Sequence, residues 1–129
     1  MIDINRQINY WRESAGEDWE VAQELVSNGR TRHGLFFAHL ALEKLLKAFV
    51  CLHTKTIPPK THNLLLLASK TDLALNDQQK LFLARFDQYQ IEGRYPEMMP
   101  TAPTYEKAVQ EIVAAQEFQL WLKQKLPKS

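Results

Sequence analysis

The stretch "GRTRHGLFFAHLALEKLLKAF", residues 29–49, decides the fold. Its apolar residues fall on almost every side of a 3.6-residue wheel, which a helix tolerates only when other helices surround it. The segment from about residue 31 to 53 is therefore predicted to be a central helix. The same stretch carries Arg32, His39, Glu43, Lys44 and Lys47. At about 100° per residue, Arg32 falls about 20° from His39, Glu43 about 40° and Lys47 about 80°, so these four share one polar stripe.

Working outward, residues 3–26 place Ile4, Ile8, Trp11, Ala15, Ala22 and Leu25 at steps of three, four or seven, a helical period closed by "SNGR" at 27–30. After the central helix, Pro58 and Pro59 force a stop, and Thr61 is placed to cap a short third helix over about 61–70. Asn76 or Asp77 opens a fourth over about 77–90, with Leu81, Phe82, Phe86 and Tyr89 at helical spacing. Residues 91–103, with Gly93, Pro96, Pro100 and Pro103, read as a long loop. From the capping Thr104, a last helix runs to about Lys125. No strand pattern and no repeat occur, so the expected fold is an all-α, up-and-down bundle of four to five helices.

The chain's 129 residues suit a single domain, 1–129, able to bury a real core. Sixteen basic and 15 acidic residues leave a formal charge of +1, so no global field draws the chain to nucleic acid or an anionic membrane, and any nucleotide site must be local. The first twenty residues have acidic groups and no apolar run, so no secretory signal is expected, and no apolar run approaches the ~18 residues of a membrane span. The expectation is a cytoplasmic protein without metal or cofactor, in which the single cysteine, Cys51, is a small core residue.

The polar residues admit two kinds of reading. Glu43 and Lys47 stand in the favourable i, i+4 ion-pair order. His39 is either a ring packed at a helix interface or, with Arg32, the general acid/base of a phosphodiester-cleaving pair; two helical turns separate them by about 10.5 Å. Asp18, on the apolar stripe of the first helix, is either half of a structural ion pair with a lysine such as Lys44 or Lys47, or plainly exposed, or a ligand residue. His62 either completes a cap or helps a helix start to hold an anion. Arg85, Tyr89, Arg94 and Tyr95 offer arginine forks and stackable rings for a nucleotide, or else an acid bridge and aromatic anchors for the loop.

Four stretches in order carry a resemblance: "YWRESAGEDWEVAQELVSNGR", "HGLFFAHLALEKLLKAFV", "PPKTHNLLLL" and "EGRYPE". Together, over nearly the whole chain, they resemble the HEPN (higher eukaryotes and prokaryotes nucleotide-binding) domain family. The resemblance implies a helical bundle that dimerises and partners a minimal nucleotidyltransferase in a two-component, toxin–antitoxin-like system. It further implies Lys44, Lys47, His62, Arg94 and Tyr95 as a nucleotide or partner surface. Other members of the family are metal-independent ribonucleases with an arginine, four to six residues, then histidine late in the bundle. Here only Arg32 and His39 match that spacing, on the second helix, and no histidine follows Arg85 or Arg94. A binding module, a ribonuclease toxin acting on RNA through Arg32 and His39, and a purely structural homodimer are the three functions the sequence leaves open.

Overall fold

The computed structural model describes residues 3–95, 97 and 101–126, with the backbone alone at 92 and 93. Helix α1 spans Ile4–Ser27 and is capped by the Asp3 carboxylate, which accepts from Arg6 N. It closes at Gly29, whose φ of 80° lets the chain reverse at once into α2, Thr31–Thr54. Fifteen of the 24 residues of α2 are buried, against five of 24 in α1. The central position predicted for residues 31–53 is therefore occupied, and the cover comes from the chain's own helices.

A short α3, Leu64–Ser69, follows. Its cap is Asn63, whose side chain accepts from Leu66 N; Thr61, the expected cap, instead accepts from Asn63 N and closes the turn before it. Helix α4, Asp77–Phe86, opens with a reciprocal capping box between Asn76 and Gln79. The helix predicted over 77–90 is broken at Asp87, and α5, Gln88–Arg94, continues on a new axis into the first residues of the expected loop. Counting α4 and α5 as one bent rod gives the five expected helices. Of that loop, Pro96 and Pro100 lie outside the described residues. Its last residues are tied back to α2 where the Thr31 hydroxyl donates to Pro103 O at 2.7 Å. Thr104 then caps α6, Tyr105–Lys123, accepting from Lys107 N.

One principal core joins residues of every helix, among them Trp19, Leu35, Leu42, Leu46, Leu67, Leu83, Phe86 and Phe118. Each such side chain contributes about 1.5–3 kcal/mol by leaving water. Among the described residues there is no strand, and no helix is long and apolar enough to cross a membrane.

The α1–α2 contact depends on Gly34. A Cβ there would run into Val26 Cγ2 and would stand 3.0 Å from Val26 N and 3.1 Å from Ala22 O. Backbone cannot give way as a flexible side chain does, so the two helices must part. Gly34→Ala is expected to destabilise by about 1–3 kcal/mol, although alanine is the better helix former. Urea melts check this: the midpoint falls while the slope stays unchanged.

Cys51 is fully buried beside Ile8 and Ala48, and that burial pushes its thiol pKa above the ordinary value of 9.0. In the unfolded chain the thiol ionises near its ordinary value, while the native thiol keeps its proton. Cys51 therefore contributes a stability term that is complete below about pH 9 and is lost as pH rises beyond it. The drop in stability between pH 8 and pH 10 is expected to be smaller in Cys51→Ala than in the parent, and native protein is expected to resist thiol reagents at pH 8.

Candidate functional site

The polar stripe of α2 is a set of connected ion pairs and hydrogen bonds inside the bundle. His39, with no exposed surface, points its Nε2 at Asp87 Oδ1 at 2.8 Å. The same carboxylate oxygen accepts from Leu64 N, the first residue of α3, at 3.2 Å. Asp87 thus holds the junction of α4 and α5 against α2 and α3, which explains why the rod bends there. The other ring nitrogen, Nδ1, faces Glu43 Oε1 across 3.8 Å.

Glu43 is 4% exposed and divides its two oxygens: Oε1 lies 3.0 Å from His62 Nδ1, and Oε2 accepts from Lys47 Nζ at 3.2 Å. The Lys47 ammonium also sits over the Trp11 ring of α1, 5.2 Å from its centroid. Neighbouring Lys44 forms an ion pair with Asp18 Oδ2 at 2.7 Å and donates to the Ser14 hydroxyl at 2.7 Å, so Asp18 has a lysine partner. His62, half-exposed, is the rim of this network and presents its ring to solvent.

A second carboxylate organises the far side of the bundle. Glu111 on α6, 2% exposed, receives a forked pair of bonds from Arg85 and a 2.7 Å bond from the Tyr89 hydroxyl. Of the two readings open for Arg85 and Tyr89, the acid bridge and the aromatic anchor match this geometry. Arg94 and Tyr95 are exposed; the Arg94 guanidinium covers Phe36 at 5.3 Å and its Nε donates to Gln90.

The five residues expected to form one nucleotide or partner surface are therefore divided. Lys44 and Lys47, in the middle of α2, and His62, just before α3, are already engaged by acids, whereas Arg94 stacks near the start of α2. Phe36 and Lys47 are eleven residues apart, about 16 Å along the helix. Arg32 and His39 do not converge either, since α2 already includes position 32 and keeps them two turns apart. Asp87 and Glu111, which hold the two networks together, had no role in the sequence reading. Glu111 stands between the buried Ala108 and Ala115 of its helix, the signal that marked Asp18, whereas Asp87, between α4 and α5, carries no such local signal. Among the described residues no cluster of histidine, cysteine or carboxylate groups is arranged to hold a metal.

The model of the HEPN domain family matches residues 8–125 of the chain. A search of the curated proteins finds no match. Among solved structures, the crystal structure of TT1696 from Thermus thermophilus superposes with a TM-score of 0.79, covering 93% of this chain and 98% of that one. At 24% identity this likeness speaks for the fold.

Proposed function

Because the chain belongs to the HEPN family, we propose that it serves as a non-catalytic helical binding module and not as a ribonuclease. The observation that carries the reading is His39. A general acid/base must come within about 3 Å of the proton it moves, and His39 has no exposed surface and a ring nitrogen on Asp87. The one arginine–histidine pair with catalytic spacing is thus scaffold. The partners proposed are a minimal nucleotidyltransferase, in a two-component, toxin–antitoxin-like arrangement, and a second copy of the chain.

Support for a protein contact comes from α6, whose outer face exposes Tyr105, Val109, Val113 and Leu120 within about 80° of arc. The homodimer is assigned to this stripe, since α2, the surface first expected to need cover, is enclosed. Val113→Lys with Leu120→Lys converts the dimer to monomer in this reading, and a monomeric mass of the parent at micromolar concentration removes it. Co-purification with a nucleotidyltransferase encoded alongside tests the other partner.

A nucleotide phosphate is assigned to Arg94, with a base stacked on Tyr95, because these two are exposed while the lysines are engaged by acids. Titration with ATP to millimolar concentration is expected to move the Arg94 side-chain signals and leave those of Lys47 in place. An unmoved Arg94 ends the nucleotide part of the proposal.

A further inference from the structure

We propose that the end of α2, the turn after it and the end of α3 together dock an acidic peptide segment of a partner protein, with an apolar side chain of that segment resting on Ile57. From Lys44 to Thr71 the chain has no acidic residue. Of the lysines in this stretch, Lys44 and Lys47 are paired inside the bundle. Lys55, Lys60 and Lys70 are exposed and have no acidic partner among the described residues. Lys55 and Lys70 cap α2 and α3, whose carbonyl ends carry at most about half a negative charge each. About two positive charges are therefore left uncompensated at one end of a nearly neutral chain. One cleft of about 470 Å³ joins the parts: His53 and Thr54 of α2, Ile57 and Pro59 of the turn, and Ser69 and Lys70 at the end of α3 line it.

Lys55 points to a use for this charge. It closes α2 at φ 59° and ψ 27°, and among the described residues no other side-chain-bearing position has a positive φ. In that region a Cβ crowds the backbone, and glycine is the usual residue at such a helix end. The same chain closes α1 on Gly29, at φ 80°. A lysine held where glycine fits better is held for its side chain.

The neighbouring groups set the class of partner. Ile57 is 60% exposed and stands in the chain between Lys55 and Lys60, so an apolar seat has an ammonium group on either side. No arginine occurs between Arg32 and Arg85 to fork onto a phosphate. No phenylalanine, tyrosine or tryptophan lines the cleft for a base to stack on. Carboxylates flanking a leucine or isoleucine match this pattern, and a nucleic acid does not. The face shares no residue with the α6 stripe or with Arg94 and Tyr95, so it stands independently of both assignments.

Fluorescence anisotropy of the full chain with a labelled peptide of about twelve residues, glutamates on both sides of a central leucine, tests the site. At about 50 mM salt, binding is expected to saturate with a Kd below about 200 µM and to weaken at least about fivefold at about 300 mM. Lys55→Gly is expected to raise the thermal midpoint and yet weaken binding about threefold, a divergence that damage to the fold does not produce. Lys70→Ala and Ile57→Ser weaken binding as well, whereas Lys80→Ala, at an exposed lysine of α4, leaves it unchanged. No saturation up to about 1 mM peptide overturns the proposal. So does undiminished binding by Lys55→Gly, or an equal loss in Lys80→Ala. Binding that ignores both Ile57→Ser and the exchange of the peptide's leucine for serine is diffuse charge attraction only, and overturns it too. Tighter binding of an oligouridylate of the same charge gives the face to RNA and overturns the peptide assignment.

Discussion

Glu43→Ala is expected to lower the stability of the protein by about 3–5 kcal/mol, the usual cost of removing one partner from a buried ion pair. Glu43 and Lys47 are both under a tenth exposed, at 4% and 8%. Without the carboxylate, the Lys47 ammonium keeps only the Trp11 ring, which is worth less than half of what it loses. His62, half-exposed, recovers by turning to water. The melting temperature should fall by roughly 11–18 °C for a chain of this length. Glu43→Gln preserves shape and one acceptor and should cost less. Replacing both partners, as in Glu43→Leu with Lys47→Met, removes the charges together and should return stability to within about 1 kcal/mol of the parent. Urea melts of the four proteins test this. A loss below about 1 kcal/mol in Glu43→Ala, the value of a solvated i, i+4 pair, contradicts the buried assignment.

The same residues show where sequence reading succeeds. The position of α2 follows from its apolar circumference, and the lysine partner of Asp18 follows from a carboxylate on an apolar stripe; both are arguments about one helix and its immediate need. The Asn76 and Thr104 caps are local chemistry and sit where expected. What could not be read locally is Asp87. Its neighbours His39 and Leu64 lie 48 and 23 residues away, and the helical period through Phe86 and Tyr89 continues undisturbed across it. The break in the rod therefore comes from tertiary contact and not from a breaker residue. His62 is similar: its neighbourhood suggested a cap or an anion site, while its partner Glu43 is 19 residues back. The candidate surface is divided for the same reason: a one-helix projection shows Glu43 beside Lys47 and His39, but not Asp87 against His39 or Arg94 stacked on Phe36.

His39→Ala carries the functional half of the argument. Removing the ring opens a cavity at a site with no exposed surface and takes from Asp87 one of its two bonds. The expected cost is about 3 kcal/mol, less than for Glu43 because Asp87 is 23% exposed and still holds Leu64 N. A double-mutant cycle with Asp87→Ala should give a coupling of about 1–2 kcal/mol, the signature of direct contact. On the non-catalytic reading, expression of the parent leaves cellular RNA intact and growth normal, and His39→Ala differs from it only in stability. A ribonuclease predicts instead a toxic parent with cleaved RNA, and a His39→Ala that is harmless even at temperatures where it stays folded. The two readings part at the second ring nitrogen: with Nε2 held by Asp87, only Nδ1 could move a proton, and it belongs to a ring with no exposed surface, out of reach of a 2′-hydroxyl.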